Sequence, residues 1–180
     1  TAPSALAADT YGGLQLWLKA DAGAEEGTWV DQSGNSRDAT AHGSPTLVAN
    51  SLNGLPVMHY SGTDGEYHDF PEMRDIRTIF WVVKRSSGKY CFLLGDNNNL
   101  HFHTENNRFW HGSHTHANIR NGVLAVNGNT VDGLNSNVPT EMSIISLRTT
   151  GNVEASNFSR DRNRSEERRV GKEGRSRWAP

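Results

Sequence analysis

The apolar residues of this chain come in short bursts, and that feature narrows its possible folds more than any other. Runs at residues 14–19, 55–60, 78–84, 90–94, 100–104, 108–110, 123–126 and 141–149 are divided by Gly, Asn, Asp, Ser or Pro. No stretch through residue 159 carries a long apolar stripe at helical spacing. Many short strands broken by turn residues predict an all-β chain, a sandwich or a barrel.

Individual runs sharpen the expectation. Leu14, Leu16 and Leu18 alternate with Gln15, Trp17 and Lys19, so a strand here puts the leucines on the core face and Trp17 on the other. Ile79-Phe80-Trp81-Val82-Val83 is apolar at consecutive positions, the pattern of a central strand covered on both faces. Asn127-Gly128 between Val123–Val126 and Thr130-Val131 is a hairpin signal, because both residues accept the positive φ that tight hairpins require.

A chain of 180 residues suits one domain, large enough to bury roughly 70% of its unfolded surface. It holds no apolar run near the roughly 20 residues of a membrane span. The lone Cys91, in Tyr90-Cys91-Phe92, excludes an internal disulfide or a CxxC site and reads as a small buried hydrophobe. Residues 1–159 carry 10 Lys and Arg against 16 Asp and Glu, a net −6, and residues 160–180 carry 8 against 4, a net +4. The acidic body argues against nucleic acid as partner.

Both ends read differently from the body. Residues 1–11, with small residues at Ala5 and Ala7, fit a signal-peptide remnant or a linker of an exported, multidomain protein. Residues 164–180 have almost nothing apolar to bury, which predicts a disordered or poorly docked segment. That tail also resembles translated adapter or vector sequence, a reading favoured over an RNA-binding arm.

Three segments carry a family resemblance. Leu14-Gln15-Leu16-Trp17-Leu18-Lys19-Ala20-Asp21 pairs with Trp29-Val30-Asp31-Gln32-Ser33-Gly34-Asn35; Phe92-Leu93-Leu94-Gly95-Asp96 precedes Phe102-His103; and Ser143-Ile144-Ile145-Ser146 runs on to Gly151-Asn152-Val153. Together these resemble the concanavalin A-like lectin/glucanase, or laminin-G-like, domains of secreted bacterial proteins. The resemblance covers about residues 12–162 and implies a two-sheet antiparallel jelly roll over residues 12–163. The family's closing strand, with an aromatic-Gly-Glu pattern, is absent, which predicts an uncovered edge beside residues 14–19. Independently, Asp31, Ser33 and Asn35 read as turn formers bonding their own backbone, with Gly34 supplying the unusual torsion.

Glycosidase chemistry needs two carboxylates flanking the scissile bond. The glucanase string Glu-x-Asp-x-x-Glu does not occur, and Glu66 and Asp69 fall on opposite faces of a strand. Ser113, His114 and Asp96 lack any nucleophile turn around the serine. No catalytic residue is assigned.

Binding groups are better represented. Trp110 with Asn107, Arg108, His111, His114 and His116 is the best grouping for sugar, an aromatic ring to stack on a pyranose beside groups that bond hydroxyls. Asp96, Asn97 and Asn98 offer oxygen ligands for calcium, which laminin-G-like sandwiches often hold at a loop rim. His101 and His103, two apart on a strand, share a face that His114 could complete as a zinc site, a weaker option. The expected function is a non-catalytic carbohydrate-binding or adhesive module, secreted or at the cell surface, with a glycan as partner and calcium as its leading cofactor candidate. A hydrolase or lyase of the same fold, and a spacer without ligand, are the alternatives.

Overall fold

The computed structural model describes residues 13–25, 27–61, 65–85, 92–99 and 101–160. Cys91 and the expectations for residues 1–11 and 164–180 lie outside them.

Among the described residues nine strands and one short helix follow in order: β1 (Ala24–Glu25), β2 (Thr28–Trp29), β3 (Ala39–His42), β4 (Thr46–Leu52), β5 (Leu55–His59), β6 (Tyr67–Val83), α1 (Ala117–Arg120), β7 (Val123–Val126), β8 (Asn129–Val131) and β9 (Ser143–Phe158). They build an antiparallel seven-stranded sheet, β1-β2-β3-β6-β9-β7-β8, and a two-stranded sheet, β4-β5. The chain is thus all-β, a two-sheet β-sandwich as the sequence predicts. Among the described residues no helix is long and apolar enough to cross a membrane.

The long pair β6 and β9 is the spine. Its register begins at His68 opposite Phe158 and ends at Val83 opposite Ser143, with shifts between Asp69 and Thr78. β6 gains three residues on its partner between Asp69 and Ile76, and β9 gains three between Val153 and Arg148, so the two ends share one register. Such insertions bend a strand and change which side chains face inward. The buried residues of β6 therefore run His68, Phe70, Met73, Ile76, Trp81, leaving the step of two after Phe70. β9 keeps Ser143, Ile145, Leu147, Thr149, Val153 and Ala155 inside.

The β7–β8 hairpin forms as read, with Val126 opposite Asn129 and φ of 50° and 82° at Asn127 and Gly128. Two other expectations are corrected. Residues 78–83 do lie in β6, but among the described residues they pair only with β9, and one face stays open: Phe80 is 71% and Val82 60% exposed. Residues 14–19 form no sheet strand, although Leu16 and Leu18 do pack on the core.

What holds residues 14–19 is a set of side chains. The Trp17 N–H donates to Asp31 Oδ1 at 2.9 Å, Asn35 Nδ2 donates to the Leu14 carbonyl at 2.8 Å, and Trp29 Nε1 donates to the Lys19 carbonyl at 2.8 Å. Among the described residues, the backbone bonds to them are one from the Gln32 N–H to the Trp17 carbonyl at 2.8 Å and a local one from the Ala22 N–H to the Lys19 carbonyl at 3.2 Å. The 31–35 turn thus supplies the partners that a neighbouring strand supplies elsewhere.

Candidate functional site

Three regions hold the residues singled out above: a histidine-bearing rim at 101–120, a carboxylate cluster beneath it, and the open face of the spine.

At the rim, residues 107–110 lie against 133–138 through backbone bonds, the Phe109 N–H to the Ser136 carbonyl, the Trp110 N–H to Gly133 and the Val138 N–H to Asn107. They form no strand, so successive side chains need not alternate, and both Phe109 and Trp110 turn into the core. Trp110 is 2% exposed and lies edge-on to Phe102. A Cβ on Gly133 would sit 2.2 Å from its ring, so glycine is needed there. The ring is a core residue and offers no surface to a sugar. Asn107 Oδ1 accepts from Arg85 and Arg108 reaches toward Glu105 at 3.8 Å, both side chains at the surface edge.

The five rim histidines serve mainly as structural groups. The His111 N–H bonds the His103 carbonyl and the His116 N–H bonds the His101 carbonyl, laying loop 111–116 on 101–103. His111 Nδ1 accepts from the N–H groups of Ser113 and His114, and His116 Nδ1 from that of Asn118, so imidazoles do the capping that Asn or Asp side chains usually do. His101 and His103, not on a strand, face different neighbours: the His101 ring lies 4.4 Å from that of His116, and the His103 ring 5.4 Å from that of His114. His101 Nδ1 accepts from the Glu154 N–H at 2.8 Å. His101, His103 and His114 are therefore not gathered as one ligand set. The loop's remaining ties escaped the sequence reading: buried Thr115 bonds the His103 carbonyl, and Arg120 holds the carbonyls of Gly112 and Thr115.

The carboxylates proposed and rejected as catalytic are held structurally. Glu66 precedes β6 and accepts from Ser61, and Asp69 pairs with His42 at 3.0 Å. Ser113 pairs with His111, not His114.

Beneath the rim, Gly95 bridges Asn157 of β9 and so delivers Asp96 into the interior. Asp96 is fully buried; Oδ1 accepts from the N–H groups of Asn98 and Asn99 at 2.7 and 2.8 Å, while Oδ2 has no hydrogen-bond partner. Asn97 and Asn98 do not extend a ligand shell around it as anticipated. The Asn97 side-chain oxygen accepts from Asn157, and Asn98 gives Asp96 its backbone N–H. Instead Glu72 of β6 and Glu154 of β9 approach, and one carboxylate oxygen from each of Glu72, Asp96 and Glu154 lies within 4.8 Å of the others. Among the described residues this is the one such group of three.

On the open face, pairing across β6, β9 and β7 sets Phe80 opposite Ser146, Val82 opposite Ile144 and Thr78 opposite Arg148. Phe80 is the one exposed Phe, Tyr or Trp ring among the described residues. With Ile144 at 56% and Val123 at 49% exposed, it forms an apolar strip edged by hydroxyls and a guanidinium.

The class this architecture defines is the all-β, antiparallel two-sheet sandwich. Comparison with known proteins finds no family model, no curated protein and no solved structure that matches the chain.

Proposed function

We propose that this chain is a non-catalytic carbohydrate-binding or adhesive module of the concanavalin A-like kind, working outside the cell as one part of a larger protein. The observation that carries the reading is the 71% exposure of Phe80 in the middle of an open sheet face. Burying an aromatic ring is worth about 2 kcal/mol or more, so leaving one in water invites a partner. A pyranose presents an apolar C–H face for such a ring and equatorial hydroxyls for Thr78, Ser146 and Arg148 around it. The rim adds Asn107, Arg108 and His114 as further polar groups, without the stacking platform that Trp110 was expected to give.

The test is a glycan-array screen and affinity electrophoresis in polysaccharide gels, with calcium and with chelator, on the full chain and on Phe80→Ala and Arg108→Ala. The expected result is retention by at least one polysaccharide, weakened tenfold or more by Phe80→Ala at unchanged melting temperature, with no release of reducing ends. Loss with Arg108→Ala alone would move the site to the rim and overturn the assignment to the face. Absence of binding in every condition would leave the spacer reading, and release of reducing ends the enzyme reading.

A further inference from the structure

We propose that Glu72, Asp96 and Glu154 form a binding site for a divalent cation of the calcium class, built on the spine strands rather than in the Asp96–Asn98 turn. Acidic residues often cluster on surfaces without holding anything. What separates this cluster is Asp96, which is fully buried and has one oxygen, Oδ2, with no hydrogen-bond partner. A buried carboxylate left half unsatisfied is among the most costly groups a protein can carry, and such groups are normally paired or coordinate metals. Since Oδ1 is taken by the N–H groups of Asn98 and Asn99, Oδ2 is the oxygen left for the cluster.

Charge and spacing set the class of ion. Three carboxylates converge, and among the described residues the one cation bonded to them is Arg74, which forks onto Glu72 Oε2 at 3.1 and 2.9 Å with its side chain 68% exposed. One guanidinium against three carboxylates leaves two negative charges. Carboxylate oxygens are hard donors that favour calcium, magnesium or manganese over zinc or copper. Oxygens that all lie within 4.8 Å of one another fit around a calcium ion, whose bonds are about 2.4 Å, and calcium accepts irregular carboxylate shells, whereas magnesium demands a near-ideal octahedron and gives up its waters reluctantly.

The glutamates are also positioned for the task. Asn99 Nδ2 donates to Glu154 Oε2 at 2.8 Å, and the Glu154 backbone N–H donates to His101 Nδ1, so the strand is fixed on both sides of the carboxylate. The site joins β6, β9 and the 92–99 segment, so a bound ion would cross-link three parts of the chain.

The test uses the full chain stripped with EGTA, titrated with CaCl2 and MgCl2 by calorimetry and followed by thermal melting. The expected outcome is a single calcium site, at least tenfold tighter than for magnesium, with a melting temperature that rises with calcium. Glu154→Gln and Glu72→Gln should each weaken calcium binding tenfold or more while leaving the cation-free melting temperature nearly unchanged. Asp96→Asn should abolish the calcium response without lowering the cation-free melting temperature, because an amide oxygen still accepts from the N–H groups of Asn98 and Asn99. Absence of heat and of a melting shift at millimolar calcium would overturn the proposal. So would calcium binding that survives both glutamate variants, or an Asp96→Asn protein that melts lower and still responds to calcium.

Discussion

Asp31 and Asp96 are both buried aspartates at the head of a tight turn, and they handle their charge in opposite ways. Asp31 fills both oxygens: Oδ1 accepts from the N–H groups of Trp17 and Ser33, and Oδ2 from the Ser33 hydroxyl at 2.7 Å and the Arg37 N–H at 3.1 Å. Burial pushes its carboxyl up, but the bonds from Ser33, Trp17 and Arg37 outweigh that and hold it below the usual carboxylate value. Asp96 fills Oδ1 alone. A saturated carboxylate is a joint of the fold, while a half-filled and more deeply buried one is an opening for a cation. His68 shows a third solution. It is fully buried with Nε2 unpartnered and Nδ1 2.8 Å from the Tyr60 hydroxyl, and burial, aided by the nearby His42, lowers its pKa to about 4. It stays neutral instead of finding a counter-charge.

The largest effect that could break the contrast belongs to Asp31. Replacing it by Ala strips three backbone N–H groups of their acceptor and frees residues 14–19 from the sandwich. The expected loss is about 4 kcal/mol in urea unfolding, at the upper end for one substitution. A loss below about 1 kcal/mol would mean that the 31–35 turn does not anchor that segment.

Next in size is the pH response of His68. Its pKa is about 4 in the folded chain and about 6.5 when unfolded, so above pH 7 it adds nothing to the pH dependence. As pH falls from 6.5 to 4 the unfolded chain takes up a proton that the folded chain refuses, and stability drops by about 3 kcal/mol in total. Urea midpoints at pH 7.5, 6 and 5 should fall steadily and flatten in His68→Leu. A slope that survives that variant would assign the effect to other groups.

These contrasts also mark what the sequence could and could not show. The Asn127-Gly128 hairpin, β5 and the 31–35 turn were legible because each is fixed by neighbours in the chain; Gly34 does take a φ of 87°. The alternation of Leu16 and Leu18 correctly pointed to the core, but alternation reports burial, not which groups bond the backbone, and here side chains took the place of a strand. Phe109 and Trp110 misled for the converse reason: in a loop, consecutive aromatics can share one core. β6 ran longer than its apolar run because its bulges break the period of two that pattern reading relies on. The carboxylate trio was least legible, since Glu72, Asp96 and Glu154 lie 24 and 58 positions apart and meet only through strand pairing.

Ser33→Ala removes the side-chain bond to Asp31 Oδ2 and, with it, the longer bonds that the same hydroxyl makes to the Gln15 carbonyl and to Asn35. Part-buried and charge-assisted, the bond to Asp31 should be worth about 1 kcal/mol, read as a shift in urea midpoint at constant m-value.

The smallest expected effect is the sharpest comparison. Asn99→Ala removes a bond much like that of Ser33, an uncharged side chain donating to a carboxylate at 2.8 Å, but onto the exposed side of Glu154. The Asn99 backbone N–H still reaches Asp96 Oδ1, so the turn is kept. Cation-free stability should change by less than about 0.5 kcal/mol, as for surface substitutions generally. If the cluster binds calcium, the same change frees Glu154 to swing and should weaken that affinity roughly threefold, since a ligand must then be ordered on binding. A variant that instead destabilises the cation-free chain as much as Ser33→Ala would make the two turns equivalent joints, and the distinction between a filled and an unfilled carboxylate would lose its meaning here.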